Sequence, residues 1–195
     1  MKNYVLLTLA VCLLGFSVNA SAAAKDGTGV ILAPAVMYET SLFEDSTTSK
    51  SDTSGLRLDG RLGFKFQFPL YVGGIYASRG STTKGLTGPD STISSTGYGV
   101  SAGFMKSGFF LIGHYILSAE REDKVSNVTT TYKEGSGFQA DIGYIFMVSS
   151  KFGIAPEMHY RSVEFKKKKV GSGAEATRTV KTVDLQPYIG LWLMF

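Results

Sequence analysis

The chain has 195 residues, of which 44% are hydrophobic and 18% are charged, and its formal net charge is +4 at pH 7. This excess of cations is too small for the broad basic face of a nucleic-acid-binding protein. Cys12 is the only cysteine, so the rest of the chain can form no disulfide, thiolate nucleophile or cysteine metal site.

The first 22 residues are predicted to be a secretory signal peptide. Lys2 provides a positive start, residues 5–16 form an apolar run too short to span a bilayer as a helix, and Ala20 and Ala22 suit cleavage before Ala23. Residues 23–195 fit one domain. They contain no segment apolar enough for a spanning helix, so entry into a membrane would require a closed β-barrel, where every backbone polar group finds a partner.

Alternation of apolar and polar residues with a period of two predicts strands along the whole of this domain. The second strand is the clearest case: its apolar face is opposed by a polar face that carries Arg57, Asp59, Arg61 and Lys65. Eight strands are predicted, over residues 29–43, 55–67, 70–78, 94–105, 109–119, 131–146, 152–165 and 179–195. Most of them exceed the roughly 9–11 residues that a tilted strand needs to cross a bilayer.

The connections between these strands alternate in length. Short ones are expected at residues 67–69, 106–108 and 147–151, and longer ones, rich in Ser, Thr, Gly and charge, at 44–54, 79–93, 120–130 and 166–178. Short periplasmic turns and longer extracellular loops are typical of bacterial outer-membrane barrels. An even number of strands then leaves both ends of the domain on the periplasmic side.

Alternation alone does not distinguish this arrangement from a soluble lipocalin-like barrel, in which the apolar face lines the interior. Two belts of aromatic residues favour the membrane orientation. The belt near the short turns comprises Phe66, Phe68, Tyr71, Phe104, Phe109, Tyr144, Phe146, Phe152 and Phe195, and the belt toward the loops comprises Tyr38, Tyr76, Tyr98, Tyr132 and Tyr160.

The last strand ends with apolar residues at alternate positions: Ile189, Leu191, Leu193 and Phe195. This ending resembles the C-terminal signature of outer-membrane barrels, and the domain as a whole is similar to the small OmpA-like and OmpX-like eight-stranded barrels. The resemblance implies an all-β, closed antiparallel transmembrane barrel in the bacterial outer membrane. It also implies that these four residues are read by the barrel assembly machinery. Barrels of this architecture have different functions, so the resemblance implies no activity.

The predicted inward face carries charges of both signs, namely Arg57, Asp59, Arg61, Lys65, Asp141, Glu157, His159, Arg161 and Asp184. Side chains just fill the interior of an eight-stranded barrel, and unpaired charges there would be costly. We therefore expect opposite charges to pair, in one cluster near mid-barrel around Arg61 and another nearer the outside around Arg57. Such a network either fills the lumen or, if its pairs exchange, gates a narrow pore.

No catalytic residue, metal site or cofactor is predicted. His159 and Ser162 are three residues apart, which is the wrong spacing for the His and Ser that lipid A deacylases of this architecture carry two residues apart on one strand face. A basic run in the fourth long loop is the predicted contact for an anion or for lipopolysaccharide, and it comprises Lys166, Lys167, Lys168 and Lys169.

These features favour a monomeric structural or surface-interaction barrel whose partners are outer-membrane lipid, lipopolysaccharide and the assembly machinery, with no nucleic acid. The alternative is a narrow channel for ions or small solutes. A lipid A-modifying enzyme and a soluble lipocalin-like binder are less favoured.

Overall fold

A computed structural model describes residues 28–44, 50–85 and 89–195. The predicted signal peptide and its cleavage site lie outside the described residues. The described part contains the strands β1 (Gly29–Glu44), β2 (Lys50–Lys65), β3 (Leu70–Gly85), β4 (Ser91–Lys106), β5 (Phe109–Val125), β6 (Val128–Tyr144), β7 (Phe146–Met147), β8 (Phe152–Val170) and β9 (Ala176–Met194). None of its residues form a helix that is long and apolar enough to cross a membrane.

Eight of the strands close into an antiparallel ring. β1 to β6 pair in chain order, β6 pairs with β8, β8 with β9, and β9 returns to β1. The two-residue β7 pairs with β8 beside the last short turn. At the seam, the Phe195 N–H donates to the Val30 carbonyl at 2.9 Å, and the Val30 N–H donates to the Phe195 carbonyl at 3.1 Å. The predicted closed eight-stranded barrel is confirmed.

The barrel has two different ends. The turn end carries the short connections together with Gly29 and Phe195, and the hairpin end carries the connections expected to be long loops. The strands extend far into those segments: β3 continues to Gly85 and β8 to Val170, and β5 is joined to β6 by residues 126–127 alone. Outside a membrane both faces of a strand meet water, so the contrast between apolar and polar positions disappears while the pairing continues. The strand ends predicted from this pattern therefore fall short of the observed ones at the hairpin end.

The outward face is apolar around the middle of the barrel, with Leu62, Leu111 and Leu185 all exposed. Exposed aromatic side chains flank this zone at both ends, as the two belts predict. Of the predicted belt residues, Phe66 and Phe152 are half-buried, and two others turn inward. Tyr71 is fully buried in the lumen, because it lies opposite the inward Lys65 in the β2–β3 register. Tyr132 is half-buried and packs on an inward phenylalanine, because a bulge at Glu134, whose φ is 53°, changes the phase of β6.

Two apolar clusters fill parts of the lumen. The cluster near the turn end includes Ile31, Tyr71, Met105, Phe110, Ile112, Ile145 and Trp192. The cluster toward the hairpin end consists of Ile75, Ile116, Ala119, Val163 and Phe165, with Tyr132 against it. The buried charged residues lie between and beside these clusters.

Candidate functional site

Arg61 of β2 lies at the centre of the lumen and contacts two strands across it. Its Nη1 is 3.1 Å from Asp141 Oδ2 on β6, and its Nη2 is 2.7 Å from Glu157 Oε2 on β8. The side chains of all three residues are fully buried. The guanidinium also stacks over the Trp192 ring, 4.8 Å from its centroid, and the Trp192 Nε1–H donates to Glu157 Oε1 at 3.0 Å. One cation thus neutralises two carboxylates and joins three strands.

His159 connects this centre to a third carboxylate. Its Nε2 is 2.7 Å from Glu157 Oε2, and its Nδ1 is 2.9 Å from Asp59 Oδ2. The imidazole stacks on the Tyr188 ring, with the centroids 3.9 Å apart and the planes 10° apart. Both ring nitrogens therefore face carboxylate oxygens, and the ring orientation is fixed by its aromatic neighbour.

Gln139 closes the arrangement. Its Nε2 donates to Asp59 Oδ2 and to Asp141 Oδ1, at 2.9 Å in each case. The resulting closed circuit passes in order through Arg61, Glu157, His159, Asp59, Gln139 and Asp141. We call these six residues the lumen circuit. Gln139 is absent from the predicted set because it carries no charge, although its position two residues before Asp141 gives it the same inward phase.

A second chain of hydrogen bonds enters the circuit from β4 and β5. Ser101 Oγ is 2.7 Å from His114 Nδ1, and His114 Nε2 is 2.8 Å from Asp141 Oδ2. No sequence pattern predicts this nucleophile–base pair, because its members lie on different strands and meet only through the β4–β5 register. The three residue types are those of a hydrolytic triad. However, Ser101 is only 4% exposed and His114 only 1%, so both are enclosed by the barrel wall and its filling.

The predicted outer cluster lies closer to the hairpin end. Arg57 and Arg79 are directly opposite each other on β2 and β3, and Asp184 Oδ1 lies 3.4 Å from Arg57 Nη2 and 4.0 Å from Arg79 Nη1. Arg161 lies opposite Asp184 in the β8–β9 register. Lys65 lies apart from both groups, buried at the turn end. The structure thus places the nine predicted residues inside the barrel, most of them in two groups, and their function stays a prediction.

One trio of the lumen circuit has the composition of a metal site. Ligand atoms of Asp141, Glu157 and His159 lie within 4.8 Å of one another. Arg61 already contacts both carboxylates, so a divalent cation would have to displace a guanidinium that holds the same position. This trio does not fit a resident metal.

The basic run lies on β8 and not in a loop, which corrects the predicted position of Lys166, Lys167, Lys168 and Lys169. Lys167 contacts Glu134 and Glu175, and these hydrogen bonds raise the pKa of Lys167 above its usual value. Lys168 Nζ lies 5.7 Å from the centroid of the Tyr132 ring. Lys166 and Lys169 are exposed.

The four C-terminal residues with the predicted assembly role all belong to the outer-facing set of β9 and its end. Ile189, Leu191 and Phe195 are exposed, and Leu193 is half-buried opposite Phe152. Phe195, 68% exposed, also supplies backbone hydrogen bonds that close the barrel.

Comparison with solved structures gives similar folds at low identity. The translocator domain of the autotransporter NalP from Neisseria meningitidis is 13% identical, with a TM-score of 0.50 over 97% of this chain and 68% of that one. Neisserial surface protein A (NspA) is 16% identical, with a TM-score of 0.45 over 87% of this chain and 99% of that one. The outer membrane protein OprG from Pseudomonas aeruginosa is also 16% identical, with a TM-score of 0.45 over 87% and 96%. The sequence matches no protein-family model and no curated protein. The likeness to the NalP domain concerns the fold alone.

Proposed function

We propose that this chain is a non-conducting barrel of the bacterial outer membrane that acts through its outer surface and hairpins. The observation that carries the proposal is the filling of the lumen. Near the turn end, the Phe110 and Trp192 rings pack with their centroids 4.7 Å apart, and Tyr71 and Ile112 lie in the same cluster. All four side chains are inaccessible to solvent.

The lumen circuit adds a second obstruction above this layer. A path for ions past Arg61 would require its contacts with Asp141 and Glu157 to break while all three groups remain buried. Separating a buried ion pair without compensation costs roughly 3–5 kcal/mol. The packed rings of the turn end would still have to move afterwards. This combination favours a filling network over a gated pore.

The long strands provide the surface on which the barrel would act. β8 and β9 have 19 residues each, and about 9–11 residues of a tilted strand suffice to cross a bilayer. At about 3.3 Å per residue, the remaining residues extend these strands by roughly 26–33 Å along their own direction. The paired hairpins therefore form a relatively ordered platform outside the membrane, on which contacts with lipid or other molecules can form.

One side of this platform is basic. Beyond Tyr160, which lies in the outer aromatic belt, the exposed cations on β6, β8 and β9 are Lys133, Lys166, Lys169, Arg178 and Lys181. We infer that these side chains contact lipopolysaccharide phosphates, because exposed ammonium and guanidinium groups at a membrane surface attract anionic headgroups. Lys167 and Lys168 are excluded from this role, since the first pairs with carboxylates and the second packs on Tyr132.

The proposal includes the route by which the barrel reaches its membrane. We expect export with removal of residues 1–22 and then insertion by the barrel assembly machinery, for which the C-terminal pattern is the expected signal. A monomeric state agrees with a ring closed within a single chain. It includes no enzymatic activity. The Ser101–His114–Asp141 chain acts as hydrogen-bond support for the lumen circuit, because a substrate has no room beside the enclosed Ser101 hydroxyl.

Conductance in planar lipid bilayers tests the closed lumen. The unaltered barrel is expected to be electrically silent, and a double variant with Phe110→Ala and Trp192→Ala is expected to admit ions more readily. Phe138→Ala removes a phenylalanine from the outward face and is the matched control, expected to remain silent. Discrete and reproducible openings of the unaltered barrel would contradict the proposal and support the channel.

Binding to vesicles that contain lipopolysaccharide tests the basic side of the platform. Lys166→Gln with Lys169→Gln should weaken the salt-sensitive part of this binding, whereas Lys124→Gln, on the β5 hairpin, should have a smaller effect. Equal effects of the two changes would reject a localised contact.

A further inference from the structure

The hairpin end of the lumen contains a cavity of about 40 Å³ that the proposed function does not use. Its floor includes Gln139, His159 and Tyr188, and around its walls stand four arginines, Arg57, Arg79, Arg121 and Arg161. One water molecule requires about 10–15 Å³ of such volume, so the cavity has room for about three waters or for one ion of comparable size. The layer beneath it is closed, so access is from the hairpin end.

The charges around this cavity are unusual for neighbouring strands. Arg57 and Arg79 face each other directly across β2 and β3, and like charges in this position destabilise a sheet. Asp184 lies near both arginines and opposite Arg161, and Asp59 and Glu120 also line the cavity, so three carboxylates stand among four guanidinium groups. The Asp184 side chain is 29% exposed and that of Arg79 18%, which means that solvent reaches this group.

Arg161 differs from the other arginines around the cavity. Among the described residues it forms no hydrogen bond or ion pair, although Asp184 is its neighbour in the register. Its Nη2 instead extends across the lumen to Gly97 on β4, where an added Cβ would lie only 2.7 Å away. Glycine at this position leaves the space that the guanidinium occupies. Arg121, by contrast, has both its Nε and its Nη2 bonded to Asp123, at 2.7 and 2.9 Å.

We propose that this cavity binds a small oxyanion of phosphate size that enters from the outside, with Arg161 as its principal ligand. Guanidinium donors match the oxygens of such an anion in geometry and charge, and they form stronger hydrogen bonds than neutral groups do. The anion would balance the charge of Arg161, whose guanidinium forms an ion pair with none of the described carboxylates. A lipid headgroup cannot serve as this ligand because the cavity lies inside the barrel wall. The proposal is independent of the lipopolysaccharide contact and of the conductance.

Titration of the folded barrel in micelles with inorganic phosphate, followed by NMR of the arginine Nε–H groups, tests this inference. Saturable shifts are expected, and Arg161→Gln should weaken the affinity about tenfold, which corresponds to the loss of one charge-assisted hydrogen bond. Gly97→Ala should weaken it as well, because the methyl group displaces the Arg161 guanidinium. Lys124→Gln, which removes an exposed cation on β5 outside the cavity, is the matched control and should leave the affinity unchanged.

Heat-dependent migration of each variant on a denaturing gel verifies that the barrel has folded. Non-saturable shifts, or saturable binding that survives Arg161→Gln, would overturn the proposal. Equal losses from Arg161→Gln and Lys124→Gln would also overturn it, since they would indicate general attraction to a cationic protein. Chloride at equal ionic strength provides the comparison for screening, and it should not reproduce the saturable shifts.

Discussion

Replacement of Arg61 by methionine should destabilise the barrel more than the loss of any exposed ion pair. Arg61 is the cation for two fully buried carboxylates, Asp141 at 3.1 Å and Glu157 at 2.7 Å. Methionine fills a similar volume but leaves both carboxylates without their partner in a region of low dielectric constant. Removal of one partner from a buried ion pair typically costs about 3–5 kcal/mol. The equilibrium constant for unfolding should therefore rise about a hundredfold or more.

Urea unfolding in lipid vesicles measures this change, and Trp192, the only tryptophan, is a fluorescent reporter in contact with the lumen circuit. Arg121→Met is the matched control: its partner Asp123 is as close as 2.7 Å, but both side chains are 22% exposed, so a loss below about 1 kcal/mol is expected. A triple variant that adds Asp141→Asn and Glu157→Gln to Arg61→Met removes the uncompensated charges and should recover most of the stability. Equal losses in Arg61→Met and Arg121→Met, or a triple variant no more stable than Arg61→Met, would refute the reasoning.

Three further predictions concern side chains that pack or close the barrel. A Cβ at Gly190 would overlap Glu157 Oε1, so Gly190→Ala should lower the free energy of unfolding by about 1–3 kcal/mol. Gly80→Ala, where an added Cβ has nothing within 4 Å, should be neutral or stabilising in the same urea titration. Ser101→Ala leaves His114 Nδ1 without its partner and should lower the free energy of unfolding by about 1–3 kcal/mol. Ser94→Ala, at an exposed position, should change it by less than about 0.5 kcal/mol, and comparable losses would show that the buried hydrogen bond adds no stability. Phe195→Ala should reduce the heat-modifiable barrel recovered from bacterial outer membranes, and Phe68→Ala, also exposed at the turn end, should not; equal recovery of both would reject the assembly role.

The barrel and the inward phase of its charges could be predicted from the sequence because each strand has one polar face toward the lumen and one apolar face toward the outside. Leu62 and Arg61, for example, differ in polarity as sharply as their environments do. The strand ends were not accessible, since beyond the aromatic belt residues such as Thr129, Thr130 and Thr131 meet water on both faces. The bulge at Glu134 also could not be predicted from the sequence, and it places Tyr132 in the interior instead of in the expected belt.

The connections within the site were less predictable than its members. The alternation of residue types predicts that the Asp141 side chain faces the lumen. Its hydrogen bond to His114 depends on the register of β5 against β6, which no local pattern specifies. The pairing of Ser101 with His114 has the same origin. Arg161 was expected in an ion pair with its own cluster, and it extends toward Gly97 because the missing side chain there leaves room. Such contacts depend on the space between strands and not on the alternation of residue types along a single strand.

Migration on a denaturing gel before and after boiling tests the central claim most directly. A closed membrane barrel with every long strand paired resists the detergent until it is heated, so the unboiled protein, extracted from the membrane fraction, should migrate differently from the boiled protein. Identical migration of the two samples, with the protein recovered in the aqueous fraction without detergent, would contradict a transmembrane barrel.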